Sequence, residues 1–247
     1  MLTEKRYEMI LELLEDKRTI TVLELKSLLG ASESTIRRDL SALDQAGKLT
    51  KVFGGAVANE SAFSSFEPSV AQKESINIDE KKKVAKAAAS LIEAEGFVYL
   101  DAGTTTGYML DYITEKTATY VTNAVSHAKR LAAAGFRVLL IGGELKGTTE
   151  AVVGNQAILT LQSYHFTRAF FGTNGITRKS GFTTPDANEA LVKTTALKQA
   201  AKSYILADST KFGNVSSVTF ASFEQAEILT DAKVSEKFAG CTNIKVV

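Results

Sequence analysis

Residues 31–57 read ASESTIRRDLSALDQAGKLTKVFGGAV, and this stretch decides the architecture of the first part of the 247-residue chain. Ile36, Leu40 and Leu43 fall on one face of a helix that Ser32 caps and that ends at Gly47. Two short strand-like runs around a glycine pair follow the helix, which predicts a hairpin.

Two further helices precede this stretch. The first carries apolar residues at i, i+3, i+4 and i+7, which are Tyr7, Ile10, Leu11 and Leu14. The second opens with a capping box, Thr21 and Glu24, and stops at Gly30. Its apolar face is predicted to be Val22, Leu25 and Leu28. Three helices and a hairpin predict a winged helix-turn-helix domain over residues 1–57, with a plain three-helix bundle as the alternative.

The exposed face of the third helix predicts contact with DNA. It offers hydroxyl, amide and guanidinium groups, which suit phosphate oxygens and base edges in a major groove. Residues 1–58 hold nine basic and nine acidic residues, but the acids concentrate on the first helix, away from this face. A solvated helix face without a partner is the alternative. The predicted DNA-binding residues are Ser32, Ser34, Thr35, Arg37, Arg38, Ser41, Lys48 and Lys51.

The remainder of the chain changes character twice. Residues 58–76 are rich in serine and glutamate and contain Pro68, which predicts a linker. From 77 to 247, helical and apolar strand patterns alternate, which predicts an α/β domain with a mostly parallel sheet.

Composition excludes several classes of protein. The net charge is +1, and the chain has a single cysteine and two histidines. A disulfide framework, a cysteine-based zinc site and a three-histidine metal site are therefore excluded. Neither a signal peptide nor an apolar run of membrane-spanning length occurs. We expect a cytoplasmic protein with no membrane partner.

A second polar cluster follows the first strand of the predicted sheet. Asp101 ends the strand, Gly103 permits a tight turn, and Thr104, Thr105 and Thr106 open a helix. Exposed N–H groups and hydroxyls at such a turn favour an anion, although threonine-rich helix caps also occur without a ligand. The turn is neither a GK[ST] loop nor a GxGxxG turn. Further polar or glycine residues lie beyond other strands or on the helix at 185–200: Asn123, Gly143, Gly175, Asp186, Glu189, Lys193, Asp208 and Lys211.

The order Arg6, Ile10, Leu14, followed by STIRRDL (34–40) and a wing ending in Gly54-Gly55-Ala56, resembles the signature of the DeoR family. The resemblance covers essentially the whole chain, and it implies a bacterial repressor of a sugar-catabolic operon. It also implies that Asp39 orients an arginine or a backbone group instead of meeting DNA. Many relatives carry histidine where this chain has Phe53, so Phe53 is assigned no DNA contact.

The second part resembles the family's sensor domain, a Rossmann-like fold similar to ribose-5-phosphate isomerase. The resemblance implies that the Asp101–Thr106 turn holds the phosphate of an effector sugar. Asp186, Glu189, Lys193, Asp208 and Lys211 would then face the sugar hydroxyls and phosphate, and Gly143 and Gly175 would allow close backbone approach. A basic residue on the first sensor helix is matched best by Lys82, with Lys81 and Lys83 left open.

Within the family, residues 76–108 look most like the fructose-operon repressors of Gram-positive bacteria. This implies release from operator DNA by a sugar phosphate such as fructose 1-phosphate, with no cofactor and no catalysis. A repressor responding to tagatose 6-phosphate is the alternative, and a sugar-phosphate isomerase or a dinucleotide-binding regulator ranks below both. Paired half-sites favour a homodimer or homotetramer.

Overall fold

The chain divides between Ala62 and Phe63 into two units. The computed structural model describes residues 3–17, 19–45, 48–58, 63–64, 69–232, 234 and 238–247. The stretch predicted as a linker, 58–76, is divided between the two units, because residues 63–64 and 69–76 belong to the second. Gly47, which was predicted to end a helix, lies outside the described residues.

The first unit consists of three helices and a small antiparallel sheet. Its elements are α1 (Thr3–Lys17), β1 (Thr19–Thr21), α2 (Val22–Leu29), α3 (Glu33–Gln45), β2 (Leu49–Val52) and β3 (Gly55–Ala58). The strand order is β1-β3-β2. The predicted hairpin is therefore confirmed as β2–β3, and the sequence pattern missed β1. Glycine is required at position 55, where β3 pairs with β1, because a Cβ there would lie 2.2 Å from the carbonyl oxygen of Ile20.

The caps of α2 and α3 form as predicted. Thr21 accepts a hydrogen bond from the Glu24 amide at 3.2 Å, and Glu24 accepts one from the Thr21 amide at 2.9 Å. Gly30 closes α2 in the left-handed region, with φ 61°. The Thr35 amide donates to the Ser32 hydroxyl at 3.2 Å at the start of α3.

The predicted apolar face of α2 was wrong at one position. Leu28 is 53% exposed, and Leu29 is buried with Val22 and Leu25. At 100° per residue, Leu29 lies almost directly in line with Val22, whereas Leu28 lies well away from it. This face packs with α1 and α3 in the core of the first unit, which includes Ile10, Leu14, Ile36, Leu40 and Leu43.

The second unit is an α/β domain. Its helices are α4 (Val70–Glu74), α5 (Ile78–Ala89), α6 (Thr104–Met109), α7 (Val125–Ala133), α8 (Asn155–Gln162) and α9 (Ala187–Lys198). Its strands are β4 (Phe63–Ser64), β5 (Phe97–Leu100), β6 (Thr119–Thr122), β7 (Arg137–Leu140), β8 (Glu144–Lys146), β9 (Ala151–Val153), β10 (Arg168–Gly172), β11 (Gly175–Thr177), β12 (Gly181–Thr184), β13 (Ser203–Leu206), β14 (Val215–Ser216), β15 (Val218–Ala221), β16 (Glu227–Thr230) and β17 (Ile244–Val246).

Seven strands form the central sheet, in the order β17-β16-β13-β10-β5-β6-β7. Every adjacent pair is parallel, which confirms the Rossmann-like prediction. The chain runs outward from β5 to β7 and then returns to the other side of β5 at β10. The direction of winding therefore reverses between β5 and β10, where open α/β sheets bind ligands.

The central sheet is buried on both faces. Tyr99 packs into one apolar cluster, and its neighbours Val98 and Leu100 pack into another. Alternate residues of a strand point to opposite faces, so both sides are covered, as is usual for parallel sheets. No helix among the described residues has the length and apolar character needed to cross a bilayer.

Candidate functional site

The exposed face of α3 in the first unit carries the predicted DNA-binding residues. Ser34, Arg37 and Arg38 are exposed, and Ser41 is half-buried. The Arg37 guanidinium binds Glu33 at 2.7 Å, one helical turn earlier. Among the residues that the structure describes, Arg38 has no side-chain partner. Arg38 is therefore the guanidinium on this face that is available to another molecule.

The β2–β3 hairpin adds cationic groups beside α3. The Lys51 ammonium donates to the Ser41 hydroxyl at 2.7 Å, so Lys51 lies directly against the helix. Lys48, at the start of the hairpin, is exposed. The Phe53 side chain at the β2–β3 turn is fully exposed.

A buried ion pair fixes α3 against α1. The Asp39 carboxylate accepts hydrogen bonds from Nε and Nη2 of Arg6, the latter at 2.9 Å. The hydrogen bond to Asp39 raises the pKa of Arg6 above its usual value. The expected role of Asp39 in orienting an arginine is confirmed, and its side chain is buried away from the exposed face.

The second unit contains a cavity at the reversal between β5 and β10. The empty space within it is about 670 Å³ when its open mouth is included. Residues that follow β5, β10 and β13 line it, together with parts of α4, α5 and α9. They are Val70, Lys73, Lys81, Ala102, Gly103, Thr104, Thr105, Thr149, Gly172, Thr173, Asn174, Glu189, Lys193, Leu206, Ala207, Asp208 and Lys211.

Four lysines line this cavity, and Lys81 is among the most buried. Its side chain projects from α5, the residue is 4% exposed, and its ammonium donates to the Lys73 carbonyl. Burial lowers the pKa of Lys81, and the positive charges of Lys211 and Lys73 lower it further, against the opposing charge of Asp208. An anion near these groups would relieve this mutual repulsion.

Lys193 enters the cavity from α9 and is held by Asp101. The Asp101 carboxylate is 1% exposed, binds the Lys193 ammonium and accepts a hydrogen bond from the Gly172 amide at 3.1 Å. Burial raises the pKa of Asp101, and Lys193 opposes that shift. Asp101 therefore positions Lys193 from behind, while Lys193 itself lines the cavity.

The carboxylate of Asp208 presents a hydrogen-bond acceptor in the cavity wall. Its Oδ1 atom accepts hydrogen bonds from Asn77 Nδ2 at 3.2 Å and from the Thr210 amide at 3.1 Å. Its Oδ2 atom is buried and has no partner among the described residues. A buried acceptor without a partner is costly, and a hydroxyl donor that reached this atom would remove that cost.

Glu189 contributes a second carboxylate, on α9. It accepts hydrogen bonds from Lys146, at 3.1 Å, and from Thr149. Asp186 caps α9 by accepting from the Glu189 amide at 2.8 Å, and it also pairs with Lys146 at 3.1 Å. Burial raises the pKa of Asp186, but the hydrogen bonds from Glu189 and Lys146 outweigh burial and leave it below its usual value.

The threonines of the turn after β5 have two different roles. Thr104 and Thr105 line the cavity. The Thr106 hydroxyl instead donates to the carbonyls of Asp101, at 2.7 Å, and Gly103, at 2.9 Å, and so caps the turn internally. His127 packs beneath the turn, and burial lowers its pKa to about 4.

Several predicted residues lie outside the cavity lining. Lys82 is exposed, with its ammonium 5.8 Å from the centre of the Tyr108 ring. Lys81 takes the place expected for Lys82, because it lies about 100° away on α5, on the buried face. Asn123 accepts a hydrogen bond from the Ala102 amide at 2.8 Å and so shapes the turn indirectly.

The two predicted glycines also have structural roles. A Cβ at Gly143 would lie 2.4 Å from the carbonyl oxygen of Val153, and one at Gly175 would lie 2.3 Å from that of Asn214. Each glycine therefore allows one chain segment to approach another, not the cavity.

The sequence reasoning missed the contribution of α4. Val70 and Lys73 line the cavity although they fall in the predicted linker. The available signal was Ser69-x-x-Gln72 directly after Pro68, since Ser69 and Gln72 form a capping box.

Comparison with known proteins assigns both units to known domain families. Residues 6–62 match a model described as a DeoR-like helix-turn-helix domain, and residues 76–232 match the DeoR C terminal sensor domain. The chain belongs to the DeoR family. It is therefore a DNA-binding transcriptional regulator, not an enzyme.

Individual relatives of this DeoR-family regulator align over nearly their full lengths. It is 41% identical to an uncharacterized HTH-type transcriptional regulator FruR of Bacillus subtilis, over 100% of this chain and 99% of that protein. It is 33% identical to a lactose phosphotransferase system repressor of Streptococcus mutans, over 96% and 95%.

Among solved structures, the sensor fold is similar to ribose 5-phosphate isomerase A of Methanocaldococcus jannaschii. The TM-score is 0.40 at 15% identity, over 55% of each chain. A likeness of this strength says nothing about activity.

Proposed function

We propose that this DeoR-family repressor controls a sugar-catabolic operon and leaves its operator when a phosphorylated sugar, fructose 1-phosphate in the first instance, occupies the cavity. The observation that carries the proposal is that one cavity contains both cationic groups and a carboxylate hydrogen-bond acceptor. Lysine ammonium groups suit a phosphate, and Asp208 Oδ2, which lacks a partner in the described part of the chain, suits a hydroxyl donor. A sugar phosphate brings both groups on one molecule.

The division of labour follows the two units. The domain limits 1–57, 58–76 and 77–247 remain a prediction, as do the DNA contacts of Ser32, Ser34, Thr35, Arg37, Arg38, Ser41, Lys48 and Lys51. Arg38 is the first candidate for a base contact, because its guanidinium lies exposed and without a side-chain partner among the described residues. A homodimer or homotetramer would present two recognition helices to paired half-sites.

In the effector site, the structure favours a smaller set than the sequence did. We assign ligand contact to Lys81, Thr104, Thr105, Glu189, Lys193, Asp208 and Lys211. Asp101, Thr106, Asn123 and Asp186 would support these groups from behind. Fructose 1-phosphate is favoured by the resemblance of residues 76–108 to fructose-operon repressors. Tagatose 6-phosphate stays the alternative, in keeping with relatives named lactose phosphotransferase system repressors.

Thermal unfolding with a panel of sugar phosphates tests this proposal. The panel contains fructose 1-phosphate, fructose 1,6-bisphosphate and tagatose 6-phosphate. A ligand at 100 times its dissociation constant adds about 2.7 kcal/mol to the free energy of unfolding. We expect fructose 1-phosphate to give the largest shift and to release DNA selected by the protein from random duplexes. A larger shift with tagatose 6-phosphate would reassign the effector, and no shift with any of the three would refute the effector proposal.

A further inference from the structure

Helix α4 lies in the part of the chain that follows the first unit, and it also forms a wall of the cavity. Val70 and Lys73 line the cavity from this helix. Although α4 has only five residues, Ser69 and Gln72 cap it: the Ser69 amide donates to Gln72 Oε1 at 2.9 Å. A cavity wall is therefore built from a short, separately capped segment.

Contacts from three places hold α4 on the second unit. The Lys81 ammonium donates to the Lys73 carbonyl, the Tyr108 hydroxyl donates to the Glu74 carbonyl at 3.1 Å, and the Val70 amide donates to the Thr148 carbonyl at 3.2 Å. The first of these donors is a charged group that itself lines the cavity. A hydrogen bond from a charged group contributes more than a neutral one, so the attachment of α4 depends on a group at the ligand site.

The described residues just before α4 are also tied to the cavity. Strand β4 pairs in parallel with β14, and β14 follows the turn that holds Asp208 and Lys211. The Asn214 side chain binds the Thr210 carbonyl at 2.7 Å and links this turn to the start of β14. Of the two described pieces of chain between residues 62 and 76, α4 therefore lines the cavity, and β4 pairs with a strand that follows a cavity-lining turn.

We propose that Lys73 is an effector-contacting residue and that α4 is the wall through which occupancy of the cavity reaches the chain leading to the DNA-binding unit. This inference rests on the proposed function, because it needs an anionic ligand in the cavity. An ammonium has three N–H donors, so Lys81 can keep the Lys73 carbonyl and still bind a phosphate oxygen.

The electrostatics give the direction of the change. Across the contact between α4 and α5, the positive charges of Lys73 and Lys211 repel that of Lys81, whereas the carboxylates of Asp208 and Glu74 attract it. A phosphate among the lysines replaces repulsion by attraction on both sides of that contact. Occupancy therefore clamps α4 onto the second unit. By linkage, the factor by which the ligand favours the attached form of α4 equals the factor by which that form favours the ligand.

Hydrogen exchange of the full-length protein tests the clamp directly. The amides of Lys73 and Ile76 are bonded within or next to α4, to the carbonyls of Ser69 and Lys73. With saturating fructose 1-phosphate, we expect their exchange to slow by at least about fivefold, the lower end of typical coupling between sites. Unchanged or faster exchange, in a protein whose melting temperature the same ligand raises, would overturn the clamp and leave the proposed function intact.

A substitution pair tests the ligand contact. Lys73→Met should weaken fructose 1-phosphate binding about tenfold and should shrink the ratio of DNA affinities measured without and with the ligand. Lys86→Met is the matched control, because it removes the same charge from an exposed position on α5. Equal ligand affinity in the wild type and Lys73→Met would refute the contact. If fructose 1-phosphate fails to bind the wild-type protein, this inference falls together with the proposed effector.

Discussion

Two buried ion pairs join residues that are distant in the sequence. They differ in whether the cation of the pair also lines a cavity. In the first unit, Arg6 and Asp39 form a two-pronged pair between α1 and α3; we refer to it as the closed pair. In the second unit, Asp101 binds Lys193, whose ammonium also donates to the Gly172 carbonyl at 3.3 Å; we refer to it as the open pair. Of these two cations, Lys193 lines the ligand cavity.

The difference shows how the same chemistry performs two tasks. The closed pair uses the fork of an arginine to fix the angle of a helix, which suits a rigid reading surface. The open pair holds a compact ammonium at the edge of a cavity, where an incoming anion can share its charge. A buried charge without a partner is strongly destabilising, so the consequence of breaking each pair should depend on whether a ligand can replace the lost carboxylate.

Breaking the open pair should give the largest effect. Asp101→Asn leaves Lys193 buried without a carboxylate, and we expect a loss of about 4 kcal/mol in the free energy of unfolding. Fructose 1-phosphate should restore part of that loss, because its phosphate compensates Lys193. Denaturant titrations with and without the ligand measure both terms. A stability equal to that of the wild type would show that Asp101 carries no charge in the folded protein.

Breaking the closed pair should cost about 3 kcal/mol, and no ligand should restore it. Asp39→Asn removes the carboxylate that binds Nε and Nη2 of Arg6, so α3 loses its fixed orientation and DNA binding falls. Replacing both partners, in Arg6→Met/Asp39→Leu, should recover most of the stability because neither charge of the pair remains buried. Recovery of Asp39→Asn by fructose 1-phosphate would contradict the distinction between the two pairs.

The histidine beneath the threonine turn predicts a pH dependence that the first unit lacks. His127 has a folded pKa of about 4, below its unfolded value near 6.5. The unfolded state therefore binds the extra proton, and stability is lost as the pH falls below 6.5. Between pH 7.5 and 5 the loss from this residue should be about 2 kcal/mol.

Carboxylates also contribute to the pH dependence of stability. Comparison of two histidine variants therefore isolates the contribution of His127. His127→Gln should flatten the profile between pH 7.5 and 5, whereas His165→Gln, at an exposed position, should keep it. Identical profiles for the two variants would show that His127 is not the titrating group.

The smallest expected effect concerns the reading surface that the closed pair supports. Arg38→Ala should weaken binding to selected DNA by about tenfold, or ~1.4 kcal/mol, and should leave fructose 1-phosphate binding unchanged. Arg37→Ala should lose less, because Glu33 already holds that guanidinium. Fluorescence anisotropy at fixed salt measures both, with the exposed Arg178→Ala as the control. A larger loss for Arg37→Ala would exchange the two roles.

Local patterns in the sequence were enough for most of the fold. The caps at Thr21, Gly30 and Ser32, the hairpin and the parallel sheet all follow from short-range periodicity and turn chemistry. The error at Leu28 arose because adjacent leucines satisfy the same pattern, and only the phase of the helix separates them. Strand β1 was missed because three residues show no period of their own.

The candidate site was predicted less completely, because its members meet only in three dimensions. The turn after β5 was found from its glycine and threonines. Lys81 and Lys82 are neighbouring residues of the same type, and only the packing of α5 shows that Lys81 is the buried one. Lys73 was missed because Pro68 and the surrounding serines suggested a linker, although the same serines include the cap of α4.

The Oδ2 atom of Asp208, which has no partner among the described residues, bears on which anions the proposed effector site would reject. A carboxylate beside an anion site repels an incoming phosphate. Only a ligand that also carries a hydroxyl within hydrogen-bond distance offsets that repulsion. An anion without a proton, such as sulfate, would satisfy the lysines but leave Oδ2 unpaired and add a like charge beside it, whereas a sugar phosphate would satisfy both. Discrimination of this kind works by rejection as much as by attraction. In the proposed effector site, a single aspartate would thus favour anions that bring a hydroxyl donor over anions that bring none.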